Sequence, residues 1–176
     1  DNPEHKLGLK ASNTVAIHYD NFFVPEENVL GKPGDGFKIA VETLNMGRVS
    51  LGAGSAGGMK RMIGEAVKHA KTREQFKQKL LSFEIIQDKL AQMACDLYAL
   101  EAMVYLTAGN MDKGEKDYSL ETAACKIFGT EKLWHCINDA LQIAGGLGFM
   151  SEYPYERFLR AARINLISEG TNESLR

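Results

Sequence analysis

Two short runs in this sequence combine residue types that could do chemistry. In Ile167-Ser168-Glu169-Gly170-Thr171-Asn172 a carboxylate follows an apolar stretch and precedes a glycine. Apolar neighbours make a carboxyl group hold its proton more tightly, which suits a general base. Gly170 permits close backbone approach, and Thr171 can cap a helix that begins at Asn172. Without chemistry, the same run is a loop that caps a helix. In Arg73-Glu74-Gln75-Phe76 a guanidinium sits near an aromatic ring. Such a pair can hold a phosphate and stack on a flat ring, or it can be an arginine solvated between two helices.

Other chemistries find little support. The sequence has no nucleophile elbow, phosphate loop or metal-ligand cluster. Gly145-Gly146-Leu147-Gly148 follows a helical pattern, so it reads as a helix cap and tight turn instead of a dinucleotide fingerprint. His5, His18, His69 and His135 are scattered and read as surface or satisfied core histidines. Cys95, Cys125 and Cys136 form no CxxC pair and fall in helical segments, as small buried hydrophobes in a reducing compartment. The net charge of −2 comes with both signs mixed, which argues against a nucleic-acid surface. No apolar run is long enough to span a membrane and no signal pattern opens the sequence, so a soluble protein is expected.

The elements that must position these runs are helices. With 44% hydrophobic residues, the chain can build one domain with a substantial core. Thr14 to Tyr19 is β-branched and reads as a strand, but one strand makes no sheet, which points to a piece of a longer polypeptide. Gly31, Pro33, Gly34 and Gly36 form a turn-rich joint. A first helix is expected from about Phe37 to Lys71, with Phe37, Ala40, Val41, Leu44, Met59, Met62, Ile63, Ala66 and Val67 on its apolar face. Its glycines at 47, 52, 54, 57 and 58 imply close approach of either another helix or a ligand. A second helix starts near Ser82, its expected N-cap, and runs through Phe83, Ile86, Leu90, Met93, Leu97, Leu100 and Val104 towards Gly109. A third spans about Ser119 to Ala144, with Ala123, Ile127, Leu133, Ile137, Ala140 and Leu141 inward, and is stopped by Gly145-Gly146. Pro154 opens a short fourth reaching about Arg163. The simplest assembly is an all-α, antiparallel four-helix bundle.

Taken in order, these segments resemble the acyl-CoA dehydrogenases over nearly the whole chain. The resemblance rests on Phe23-Val24-Pro25, Val29-Leu30-Gly31, Gly34-Asp35-Gly36-Phe37, Gly47-Arg48 and Arg73-Glu74-Gln75-Phe76. It continues through Gln142-Ile143-Ala144-Gly145-Gly146, Gly148-Phe149, Glu156-Arg157 and Glu169-Gly170-Thr171-Asn172. The pattern looks most like the very-long-chain branch. The resemblance implies a C-terminal bundle domain at 34–176, preceded at 1–33 by a short β remnant of a middle domain. It implies FAD as cofactor, an acyl-CoA substrate, electron-transferring flavoprotein as acceptor, and a homodimer or homotetramer. The compartment implied is the cytoplasm in a bacterium and the mitochondrial matrix in a eukaryote.

The resemblance also implies residue roles. Glu169 matches the base that takes the substrate α-proton, and Gly170 the position lying against the substrate. Arg48 matches an arginine lining the substrate side. Thr171 and Asn172 match flavin contacts. Arg73, Gln75 and Phe76 match a segment reaching the FAD of a neighbouring subunit, and Gln142, Ile143, Gly145 and Gly146 a stretch near its adenosine end. A minority branch carries its base immediately before the arginine matching Arg48; this chain has Gly47 there. It departs from the family at Lys77, where glycine is usual, at Ser168, where an aromatic is usual, and at Glu84, where glutamine is common. By this resemblance the fragment alone is inactive and holds FAD poorly. A second reading is a relative that kept the bundle as a non-catalytic assembly module.

Overall fold

The computed structural model describes residues 2–115 and 117–176; Asp1 and Lys116 lie outside them. Three long helices make the body: α1 (Gly36–Thr72), α2 (Glu84–Asp112) and α3 (Ser119–Ala144). Two short helices follow, α4 (Tyr155–Ala162) and α5 (Asn172–Leu175). Between α1 and α2 lies a two-stranded antiparallel hairpin, β1 (Glu74–Gln75) and β2 (Gln78–Lys79), with Glu74 opposite Lys79. No helix of the described residues is long and apolar enough to cross a membrane.

Charged pairs reveal the direction of packing. Lys60–Glu101 at 2.5 Å ties α1 to α2, while Lys132–Asp96 at 3.1 Å and Lys89–Asp139 tie α2 to α3. In the α2–α3 set the numbers run in opposite senses, and Gly52 meets Val104 where Lys60 meets Glu101, so α2 is antiparallel to both neighbours. α1 and α3 lie side by side in parallel and share the most extensive interface. Partly exposed ion pairs of this kind contribute under about 1 kcal/mol each. The bulk of the stability comes from Met59, Met62, Ala66, Met93, Leu100, Leu133, Ile137 and Ala140, all buried between the three helices.

Glycine decides how closely α1 and α3 approach. A Cβ at Gly129 would sit 3.2 Å from the Cα of Gly52, and one at Gly58 would sit 2.9 Å from Leu133. The α1 glycines at 52 and 58 therefore serve helix packing, whereas Gly54 and Gly57 face open space. Gly47 serves something else, described below.

Several elements differ from the expectation. Thr14–Tyr19 is in no strand, because nothing among the described residues completes a ladder with it; the β remnant is an extended segment. Part of that N-terminal segment lies on α4, where a Cβ at Gly8 would come within 2.4 Å of the Arg160 carbonyl oxygen. Phe37, expected inward, is 83% exposed, and Ala40 and Leu44 are also exposed, since the first turns of α1 project past the bundle. α2 starts two residues later than expected, with Phe83 as N-cap, because Leu80–Ser82 form a 3-10 turn. α3 ends at Ala144, and Gly145 adopts φ +60 there. Its buried face near the start is polar: Thr122, Lys126 and Thr130 are buried, while Ala123 and Ile127 are only half-buried. Cys125 and Cys136 are buried, and burial pushes the Cys136 thiol up to about 12; Cys95, on α2, is exposed.

Candidate active site

The loop after α4 folds back across the start of the bundle and brings Glu169 to α1. Arg163–Leu166 continue α4 as a 3-10 turn, and the chain then reverses at Glu169 (φ +59) and Gly170 (φ +94). The left-handed region is unfavourable for a side chain with a Cβ, so this turn needs support from outside itself. α5 begins immediately after, with the Thr171 hydroxyl accepting from the Ser174 N–H at 3.2 Å, as the sequence implied.

Glu169 is half-buried and its carboxylate rests on Gly47 of α1. A Cβ at position 47 would lie 2.7 Å from Glu169 Oε2, so any larger residue there would push the carboxylate off this seat. Arg48, the next residue, donates from Nε to the Glu169 carbonyl at 3.1 Å and from Nη1 to Asn45 Oδ1 at 2.7 Å. Its guanidinium is thus fixed by the loop and by its own helix. Among the described residues nothing accepts from the Glu169 N–H.

Beneath the loop lies a buried polar group that sequence reasoning missed. The Lys126 ammonium donates to the Gly170 carbonyl at 2.7 Å and to Asn172 Oδ1 at 2.6 Å. Asn172 Nδ2 donates to Thr130 Oγ1 at 3.1 Å and to Glu131 Oε1 at 3.2 Å. Arg176 closes the group with donations to both Glu131 oxygens, at 2.7 and 2.9 Å. The Asn172 side chain, expected beside a flavin, is turned into the bundle and engaged there, leaving only its backbone to meet a ligand. Burial, the largest influence, lowers the Lys126 pKa; Arg48 acts the same way, and Glu173, Glu169 and Glu131 oppose it. Lys126 shares a helical face with Thr122, Gly129 and Leu133, but its burial comes from the final loop lying over it.

At the far end of α1 a second site gathers residues from three stretches. Arg73, Gln75, Ile143, Gly145 and Gly146 line one cavity of about 430 Å³. The backbone at Gly145 and Gly146 is open, with nothing within 4 Å of where a Cβ would stand. No carboxylate pairs with the Arg73 guanidinium among the described residues. A free cation beside bare peptide groups fits an anionic, planar cofactor fragment. His69 also lines this cavity, and burial, then the Arg73 charge, lower its pKa. The expectation of a bland histidine there overlooked that position. Gln142 and Phe76 lie outside the cavity lining. Phe76 stands at the hairpin tip, 87% exposed, with its ring 6.4 Å from that of Phe83. Phe76 (φ +52) and Lys77 (φ +63) both take left-handed backbone, the arrangement of a two-residue hairpin turn in which glycine is favoured. A separate cavity of about 510 Å³, between Leu7–Ala11 and α4, contains none of the expected site residues. Among the described residues no cluster suits a metal ion.

Comparison with known proteins gives matches over nearly the whole chain. The family model for the acyl-CoA dehydrogenase C-terminal domain matches residues 34–176. The very long-chain specific mitochondrial acyl-CoA dehydrogenase of Rattus norvegicus is 51% identical over 174 residues, covering 99% of this chain. The chain spans only 27% of that relative's length. Among solved structures, butyryl-CoA dehydrogenase from Megasphaera elsdenii superposes with a TM-score of 0.94 at 36% identity, covering 99% of this chain and 45% of its own. An acyl-CoA dehydrogenase from Bacillus anthracis complexed with FAD gives a TM-score of 0.93 at 39% identity, with 99% and 33% covered.

Proposed function

Because this chain belongs to the acyl-CoA dehydrogenase family, most like its very-long-chain branch, we propose that it is the base-bearing helical part of a flavin-dependent enzyme that dehydrogenates the α,β bond of a fatty acyl-CoA thioester. Residues 1–33 are the close of a middle domain, and 34–176 are the bundle domain. Glu169 carries the proposal: its carboxylate faces a glycine gap while its own carbonyl is pinned by Arg48.

An unactivated α-C–H is too weak an acid for a carboxylate unless the developing enolate oxygen is held. The uncommitted N–H of Glu169 supplies a donor beside the base for that oxygen. Gly170 lies against the substrate, and Arg48 both lines that side and fixes the loop. FAD held beside this loop would supply the acceptor for the β-hydrogen, with electron-transferring flavoprotein as the onward electron acceptor. Thr171 and the Asn172 backbone meet the flavin of this subunit. Arg73, Gln75, Phe76, Gln142, Ile143, Gly145 and Gly146 meet an FAD bound by a neighbouring subunit.

Helix geometry supports the two-subunit arrangement. Gly47, about a third of the way along α1, and Arg73, at its C-cap, are separated by roughly 39 Å at helical rise. A single dinucleotide would have to span that whole distance to serve both, which supports the reading of a homodimer or homotetramer. The compartment is the mitochondrial matrix or, in a bacterium, the cytoplasm. In the full-length enzyme, Glu169→Gln is expected to abolish dehydrogenation in a dye-reduction assay while FAD stays bound; near-normal turnover removes Glu169 from the role. The 176-residue chain alone is expected to purify without yellow absorbance, and stoichiometric FAD in it would overturn the shared-cofactor reading.

A further inference from the structure

The Glu169 turn holds two consecutive left-handed residues, which for the glutamate costs about 1 kcal/mol. Two cations from two helices take its successive carbonyls. Arg48 of α1 holds that of Glu169, and Lys126 of α3 holds that of Gly170. The two are not equivalent. Arg48 is half-buried and also lines the side assigned to substrate, whereas Lys126 is fully buried and meets only this chain. Both Lys126 partners are neutral oxygens. A buried ammonium without a directly paired carboxylate loses its hydration with incomplete return. If packing were the only requirement at this position of α3, an apolar side chain of similar length would stabilise the bundle more.

We propose that Lys126 is a positioning residue for Glu169: by tying the Gly170 carbonyl and the Asn172 amide oxygen to α3, it locks the left-handed turn and keeps the carboxylate seated on Gly47. This rests on the reading of Glu169 as the base. Lys126 grips the turn through the Gly170 carbonyl and the Asn172 amide oxygen and makes no hydrogen bond to the carboxylate, so its hold on the base runs through the backbone geometry. Thr130 and Glu131 extend the same grip through the Asn172 amide, so the chain leaving the turn is attached to α3 at both Gly170 and Asn172. With Lys126 gone, the Gly170 carbonyl loses its donor and the turn relaxes towards backbone that a glutamate prefers. The carboxylate then leaves its seat, while the surfaces that bind substrate and cofactor remain.

The test uses full-length holoenzyme carrying Lys126→Met, which matches the side chain in length but cannot donate. The expected result is full FAD content, KM within about threefold of wild type, and kcat lower by about 100-fold, the scale of a misplaced reacting group. Lys126→Gln, which keeps a neutral donor, is expected to recover part of kcat. An unchanged kcat in Lys126→Met overturns the proposal, as does a loss of FAD and substrate binding in proportion to kcat. If neither variant yields folded holoenzyme, the lysine belongs to the fold alone and the proposal falls. Glu169→Gln measured alongside separates the two readings: an active Glu169→Gln sinks the base, whereas an inactive one with normal Lys126→Met turnover sinks only the lysine.

Discussion

Two turns in this molecule carry the same local strain and are held in opposite ways. At Phe76–Lys77 and at Glu169–Gly170, consecutive residues adopt positive φ, and each pair includes side chains that disfavour it. The hairpin tip is supported by its short ladder, local hydrogen bonds such as Leu80 N–H to the Arg73 carbonyl, an exposed Glu74–Lys79 pair at 2.5 Å and an edge contact with Phe83. The Glu169 turn is gripped from below by Lys126 and from the side by Arg48, with Asn172 buried beside it. Strain that is buried and anchored defines a geometry by itself. Strain displayed on an exposed tip, with a bare aromatic ring at its end, is suited to completion by another molecule. The Glu169 geometry is therefore set within this chain, whereas the Phe76 ring is left bare.

The contrast can be broken or sharpened at several positions. The largest effect is expected at Gly47→Val in the full-length enzyme, where the added side chain displaces the carboxylate. Turnover should fall by about 100-fold while the hairpin end and its cofactor contacts are untouched. Normal turnover would mean the carboxylate does not work from this seat. Phe76→Ala comes next. Melting of the isolated chain should not change, because the ring is exposed, but FAD affinity of the assembled enzyme should drop by about 10-fold, the loss of one aromatic anchor. Equal losses in both measurements would make Phe76 an ordinary structural residue.

Smaller effects test the strain itself. Lys77→Gly relieves the left-handed penalty but gains chain entropy when unfolded, so a net stabilisation of about 0.5 kcal/mol, or 1–2 °C in Tm, is expected. A lower Tm would show that the lysine side chain is doing something the turn needs. The smallest effect is at His69. Its folded pKa lies below the unfolded value of 6.5, so the unfolded chain binds the proton more readily. Its contribution is complete above pH 6.5 and is lost as pH falls through the depressed folded value. Wild type should therefore lose slightly more Tm than His69→Gln between pH 7.5 and 5.5, and identical slopes would contradict the depressed value.

Much of the frame was legible before any coordinates. Apolar spacing located α2 and α3, and Gly145 marked the end of α3, because a positive φ there suits glycine. Glu169, Arg73, Gln75 and the Gly145-Gly146 pair stood out by type and order. Other features were hidden for physical reasons. Thr14–Tyr19 has strand composition, but a strand exists only when a neighbour takes its hydrogen bonds. Phe37 looks like core, but no part of the bundle covers the first turns of α1. Lys126 looks like solvated surface, and its burial depends on a loop more than forty residues later folding over it.

By itself the sequence determined the helical elements, most of their ends and which groups are candidates for chemistry, because these depend on neighbours a few residues away. Tertiary structure alone decided which glycine seats the carboxylate, which of two strained turns is anchored, and which lysine is buried. Those properties arise where α1, α3 and the final loop meet, and contacts between segments so distant in the chain leave no local periodicity to read.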